Sequence, residues 1–126
     1  MNFLFFLNTI SAFLLTGVIW TIQLIHYPSF HYIDKSSFVN FHKFHEWRIS
    51  IIVMPLMIVE LITSIVLYMN DTSSLIFALN LGIIVLIWCS TFFIQVPIHA
   101  ILSSGKDKKM IEKLVKTNWI RTFLWT

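Results

Sequence analysis

Five histidines and two glutamines are the residues of this 126-residue chain whose types and spacing could do chemistry. His42 and His45 are three residues apart, so both would lie on one face of a helix. Gln95 and His99 are four residues apart and would also share a face. We therefore predict a binding site at one end of several helices, formed by the side chains of Gln23, His26, His42, His45, Gln95 and His99.

Imidazole is the commonest protein ligand for transition metals, which makes a metal ion or a haem the first predicted occupant of this site. A haem would need only two axial histidines on facing helices. The predicted metal ligands are His26, His42, His45 and His99, whereas His31 lies in a predicted loop and is the weakest candidate. The alternative interpretation is a set of interfacial histidines, because an apolar ring with a polar nitrogen suits the membrane boundary.

Glu60 is a separate candidate, since it is the single charged residue between Arg48 and Asp71. An ionised carboxylate in the middle of a membrane span is costly, so its side chain should face other helices or a cavity. Glu60 is predicted either to be a neutral carboxyl group bonded to another helix, or to carry protons or anchor a ligand. Its predicted polar neighbours are Thr16, Thr63, Ser64, Asn80 and Ser90.

The elements that must position these residues are membrane spans. The chain is 57% hydrophobic and 12% charged, whereas a soluble domain averages about 25% charged residues. Residues 1–33 and 72–105 contain no Asp, Glu, Lys or Arg, and apolar runs longer than about 18 residues indicate transmembrane helices. We predict spans near residues 3–27, 49–69 and 75–99, with Pro28 ending or bending the first.

The C-terminal segment, residues 107–126, predicts an amphipathic helix with Asp107 as its N-cap. Its apolar part is too short to cross a bilayer alone. It therefore either lies at the membrane interface or opens a fourth span. The predicted fold of residues 1–126 is a single all-α integral membrane domain, a helical bundle of three transmembrane spans plus this C-terminal amphipathic helix.

The distribution of charge predicts the orientation. All nine Lys and Arg residues follow the first or the third span, whereas the turn at residues 70–74 carries an acid and no base. By the positive-inside rule, the N-terminus and this turn face outwards and the basic segments face the cytoplasm, with a bacterial inner membrane as the expected location. The predicted partner is thus the lipid bilayer and not nucleic acid. The single Cys89 excludes an internal disulfide and is expected to be a buried apolar side chain.

Functions of three classes fit these residues. The first is an oxidoreductase-like binder of a metal, a haem or a quinone-like or polycyclic substrate at the histidine site. The second is a non-enzymatic subunit of a larger complex or homo-oligomer, in which Asn8, Glu60 and Asn80 bond to partner helices. A proton-conducting transporter centred on Glu60 is the least favoured, because such proteins are usually built from repeats and no repeat is visible.

Two short motifs near the C-terminal end are Pro97-Ile98-His99 followed by Leu102, and Trp119-Ile120-Arg121-Thr122. In these motifs the chain resembles the anthrone-oxygenase-like group of small four-helix membrane proteins. The resemblance implies a four-helix bundle and, in some members, oxidation of a polycyclic phenolic substrate. It marks Pro97, His99, Trp119 and Arg121 without assigning their roles. The chain differs from the group's pattern in its segments 26–28 and 42–45, and in ending where a fourth span would begin.

Overall fold

The computed structural model describes residues 2–126, and four helices, α1 to α4, account for most of them. Helix α1 is an α-helix over Asn2–Thr21 and continues without a break as a π-helix over Ile22–His26. It ends with a short α-helical segment, Tyr27–Ser29, and a single 3-10 turn, Phe30–Tyr32.

Helix α2 is a continuous α-helix over Phe38–Asn70. Helix α3 begins as an α-helix over Leu75–Ser90, changes to a π-helix over Thr91–Gln95, and returns to α-helix over Val96–Leu102. Helix α4 spans Lys108–Trp125. Residues 2–126 contain no β-strand, so the predicted all-α class is confirmed.

The four helices form an antiparallel bundle, because short loops join them and each packs against the next, with α4 closing the ring against α1. One end of the bundle, here called the histidine end, carries the loops at residues 33–37 and 103–107. The opposite end, here called the turn end, carries the turn at residues 71–74. Helix α4 packs along the bundle. It is not one of the helices that are long and apolar enough to cross a membrane, so its placement at the interface or in a fourth span stays a prediction.

Local sequence signals explain where two of these helices begin. The Asp107 carboxylate accepts a hydrogen bond from the backbone N–H of Met110 at 3.1 Å, which confirms it as the N-cap of α4. Ser74 caps α3 in the same way through the backbone N–H of Phe77, at 3.4 Å. Helix α1, by contrast, does not end at Pro28, which was one of the two effects predicted for this proline. The π-helical turn before this proline leaves room for its ring, and the chain stays helical to Tyr32.

The outside of the bundle is apolar and much of its inside is polar, the reverse of a soluble protein. Phe13 and Phe93 are 74% and 78% exposed, whereas Asn118 and Thr122 are fully buried. Three helices are long and apolar enough to cross a membrane, namely Asn2–Tyr32, Phe38–Asn70 and Leu75–Leu102. Cys89 lies on this outer surface and not in the core. The prediction of a buried Cys89 was wrong because α3 is apolar on all sides, so its sequence does not distinguish the inner face.

Candidate functional site

Two π-helical segments lie at the histidine end, one in α1 and one in α3. Each is followed by one α-helical residue and then by a proline, Pro28 in α1 and Pro97 in α3. They carry Gln23 and Gln95, and both of these side chains are buried. Because π-helical turns are rare and are found mostly at functional sites, this repeated arrangement marks the histidine end as the place to look for one.

A cleft of about 130 Å³ lies beside these two segments. Its polar wall consists of Tyr27, Glu46, Ser50, Thr91, Gln95, His99 and Arg121. Its apolar wall consists of Ile22, Ile49, Val53, Met54, Met57 and Val96. A cavity of about 150 Å³ is known to hold one benzene molecule, so the cleft has the size of a single six-membered ring.

Arg121 is the most unusual residue of the cleft. It is 6% exposed, and its guanidinium donates hydrogen bonds to the Asn118 side-chain oxygen at 2.6 and 3.0 Å, to the Tyr27 hydroxyl at 3.2 Å and to the Thr91 hydroxyl at 3.4 Å. All of these partners are neutral. Within residues 2–126 the single ion-pair contact joins His42 and Glu46, so Arg121 has no carboxylate partner there. A buried cation without an anion is costly, which points to an anion or a polar oxygen as its missing partner.

The Gln23 side chain forms hydrogen bonds with the part of α4 that orients Arg121. Its side-chain oxygen accepts hydrogen bonds from the Asn118 amide at 2.8 Å and from the Thr122 hydroxyl at 3.2 Å, and its own amide donates to the Val115 carbonyl at 3.0 Å. Because the Asn118 amide nitrogen is used by Gln23, its oxygen is directed to the guanidinium. Gln23 is therefore a positioning residue and does not line the cleft.

Gln95 leaves one hydrogen-bonding atom unused beside the cleft. Its amide donates to the Thr117 hydroxyl at 3.1 Å, while its buried side-chain oxygen has no partner. Buried polar atoms are nearly always paired, so an unpaired acceptor in the wall of a cleft indicates a missing donor. A donor for Gln95 and an acceptor for Arg121 could both come from one ligand.

A line of two hydrogen bonds and one longer contact runs from the Tyr27 hydroxyl to the Glu46 carboxylate, and both of these groups line the cleft. The Tyr27 hydroxyl lies 3.1 Å from Nε2 of His99, and Nδ1 of His99 lies 2.9 Å from Nε2 of His42. The second ring nitrogen of His42 lies 3.9 Å from the Glu46 carboxylate, whose side chain is 44% exposed. His42 itself is fully buried. This line joins a group in the cleft to one that water can reach.

The other two predicted histidines pair with each other. The ring centroids of His26 and His45 lie 5.0 Å apart, and Nε2 of His45 is buried without a partner. His31 is exposed, and only its backbone carbonyl is used, by the Lys106 ammonium at 2.9 Å. Within residues 2–126 no group of three or more His, Cys, Asp or Glu side chains is arranged to hold a metal ion. The four-histidine metal or haem centre stays a prediction that this pairing does not support.

Glu60 belongs to a different part of the molecule, nearer the turn end. It is 3% exposed, and its carboxylate accepts a hydrogen bond from the Trp125 indole at 3.1 Å. A neutral network lies beside it, in which the Asn8 amide donates to the Thr63 and Ser64 hydroxyls at 2.9 and 2.7 Å. The Asn80 amide also donates to Ser64, at 2.9 Å. The polar residues predicted to bond to partner helices thus bond within this chain instead.

Three residues of the site were not among those derived from residue spacing: Tyr27, Asn118 and Arg121. The sequence contains one signal that could have found Arg121. Among the buried positions of α4, Arg121 follows Ile111, Leu114 and Asn118 and precedes Trp125 with spacings of three and four residues, so it lies on the inward stripe of an amphipathic helix. Only the family resemblance marked it. Tyr27 has no comparable signal, because an aromatic residue at a span end is expected at the membrane interface in any case.

Comparison with known proteins gave no match: no protein-family model matches the chain, and no curated protein or solved structure matches it. The resemblance to the anthrone-oxygenase-like group therefore stays a prediction.

Proposed function

We propose that this protein is an integral membrane protein that binds a small single-ring compound with a hydroxyl or carbonyl oxygen, of the phenol or quinone type, in the cleft at the histidine end. The observation that carries the proposal is Arg121, a buried guanidinium without a carboxylate partner. In a membrane protein such a cation is retained when it serves a ligand. Of the expected quinone-like or polycyclic ligands, the proposal takes the single-ring class, because the cleft volume of about 130 Å³ suits one ring.

The two walls of the cleft support this class of ligand. The apolar wall, with Val53, Met54 and Met57, suits the face of a ring. The polar wall offers donors from Arg121 and an unpaired acceptor from Gln95. An oxygen of the ring would accept hydrogen bonds from the guanidinium, and a hydroxyl of the ligand would donate to Gln95. The cleft volume of about 130 Å³ suits one ring of the ligand.

The proposed orientation puts the cleft near the cytoplasmic face of a bacterial inner membrane. Basic residues crowd the histidine end, namely Lys35, Lys43, Lys106, Lys108 and Lys109, while the turn end has Asp71 and no base. This asymmetry is the one that the positive-inside rule describes. Apolar ring compounds partition into the bilayer, so they would reach the cleft from the lipid.

The test is binding of 4-nitrophenol to the purified chain in lipid nanodiscs, followed by equilibrium dialysis and the phenolate absorption. Arg121→Gln should weaken binding by about tenfold to a hundredfold, because a hydrogen bond to a charged group contributes about 1.5–3 kcal/mol. Lys113→Gln is the matched control, since it removes the same charge from the exposed side of α4. The proposal fails if wild type binds no better than empty nanodiscs, or if the two variants bind alike.

A role as a small subunit of a larger complex stays a prediction. Its motivating residues, Asn8, Glu60 and Asn80, have found partners inside the chain. Native mass spectrometry of the protein released from membranes would detect a stable partner or a second copy.

A further inference from the structure

We propose that Tyr27, His99, His42 and Glu46 form a proton relay that leads from the buried Tyr27 hydroxyl to the half-exposed Glu46 carboxylate, both of which line the cleft. The inference rests on the proposed function, because it assigns the relay to a ligand whose oxygen gains or loses a proton. The geometry that supports it is a pair of hydrogen-bond contacts at 3.1 and 2.9 Å from the Tyr27 hydroxyl through His99 to His42. Nδ1 of His42 then lies 3.9 Å from the Glu46 carboxylate, which is longer than a hydrogen bond, so the carboxylate must move closer to complete the relay.

The neighbours of Tyr27 and Glu46 fix the direction of these hydrogen bonds. Arg121 can only donate, so the Tyr27 oxygen accepts from it and keeps its own proton for Nε2 of His99. A neutral His99 then carries its proton on Nδ1 and donates to Nε2 of His42. The remaining proton of His42 lies on Nδ1, which faces the Glu46 carboxylate. His99 thus accepts at one nitrogen and donates from the other, while His42 accepts at Nε2 and presents its Nδ1 proton towards Glu46.

A concerted shift of three protons moves one charge along this line. The Tyr27 proton passes to Nε2 of His99, the Nδ1 proton of His99 passes to Nε2 of His42, and the Nδ1 proton of His42 passes to Glu46. The products are a Tyr27 phenolate beside the Arg121 guanidinium and a neutral Glu46 carboxyl group, with no change in total charge. Glu46 releases its proton to water, and a ligand hydroxyl in the cleft reprotonates Tyr27. The net step carries one proton from ligand to water, and the reverse step delivers one.

Two features distinguish this line from ordinary packing of polar groups. The His42 ring is enclosed by the Phe30 and Phe38 rings, at 5.6 and 5.8 Å between centroids, so it is held in one orientation. Glu46 is half-exposed and accepts no side-chain hydrogen bond that would fix it, so it can turn from water to Nδ1 of His42. Proton exchange with water needs both features, namely a His42 ring held in place and a Glu46 carboxylate that is accessible to water.

The test measures exchange of the Tyr27 hydroxyl proton in the full chain without ligand. Tyrosine labelled with carbon-13 at Cζ shows a resonance shift when its hydroxyl proton is replaced by deuterium, which gives the exchange rate by NMR. We expect Glu46→Gln to slow exchange at Tyr27 at least about tenfold and to leave the exposed Tyr32 unchanged. Glu112→Gln is the matched control, an exposed carboxylate on α4. His42→Gln should slow exchange in the same way.

The relay is overturned if exchange at Tyr27 is the same in Glu46→Gln as in wild type, or if Glu112→Gln slows it equally. Neither result depends on the ligand, so failure of 4-nitrophenol to bind would remove the proposed function and leave the relay to be judged by exchange alone. Since Glu46 is half-exposed, its amide variant should fold even if the buried His42 variant does not.

Discussion

The polar groups at the two ends of the bundle are bonded differently. Near the turn end, the side chains of Asn8, Thr63, Ser64 and Asn80 are neutral and bond to one another, and none is left without a partner. At the histidine end, three buried atoms lack partners, and they belong to His42, His45 and Gln95. Arg121 adds a charge without an opposite charge.

This difference separates a structural network from a binding site. A fully paired network of neutral groups fixes how membrane helices pack, because every member would be costly to leave unpaired in lipid. A network with unused donors and acceptors is less stable as it stands and can gain free energy from a ligand. The turn end therefore holds the bundle together, while the histidine end is the place of the proposed binding site.

The largest expected effect is on stability at the turn end. Asn8→Leu removes the donor of hydrogen bonds to Thr63 and Ser64 and should lower the free energy of unfolding by about 1–3 kcal/mol. Reversible unfolding of the purified protein in mixed micelles measures it. Asn2→Leu, an exposed change in the same helix, is the control and should have little effect. A loss of 4-nitrophenol affinity in folded Asn8→Leu protein would contradict the separation of the two ends.

A smaller effect is expected from the unused acceptor at the histidine end. Gln95→Leu should weaken 4-nitrophenol binding by about twofold to tenfold, because a neutral hydrogen bond contributes about 0.5–1.5 kcal/mol. Equilibrium dialysis against nanodiscs measures the affinity. The matched ligand is 4-nitroanisole, which has no hydroxyl to donate. If Gln95→Leu weakens binding of both compounds equally, the Gln95 oxygen does not accept a ligand hydrogen bond.

The smallest effect is expected from Glu60→Gln. The amide oxygen can still accept from the Trp125 indole, so unfolding free energy should change by less than about 1 kcal/mol and 4-nitrophenol affinity should not change. The same dialysis and unfolding measurements apply. Strong loss of binding would show instead that Glu60 and the cleft act together, which would revive its predicted role in carrying protons.

The helices could be predicted from the sequence because lipid imposes a simple rule on composition. Long apolar runs predicted three helices, two of them free of charged residues and one with Glu60 as its single charge, and an acid ahead of a periodic segment predicted the start of α4 at its N-cap. The end of α1 was missed, because a proline normally disfavours helix and its compensation by a π-helical turn has no clear sequence signature. The side of α3 that faces the bundle could not be predicted either, because this helix is apolar on all sides.

The candidate site could be predicted only in part, for the same kind of reason. Helical spacing placed His42 with His45 on one face, but it could not show that His42 bonds to His99, which is 57 positions away. Helical spacing also could not show that the Asn118 amide donates to Gln23, which is 95 positions away. This bond turns the Asn118 side-chain oxygen towards Arg121.

By itself, the sequence determined that this chain makes long apolar helices, with its histidines at span ends and its basic residues on one side, because hydropathy and charge act along the chain. Only the tertiary structure decided which polar groups became partners and which were left unpaired. Hydrogen bonds depend on distances of about 3 Å between helices, and those distances are set by packing and not by order along the chain.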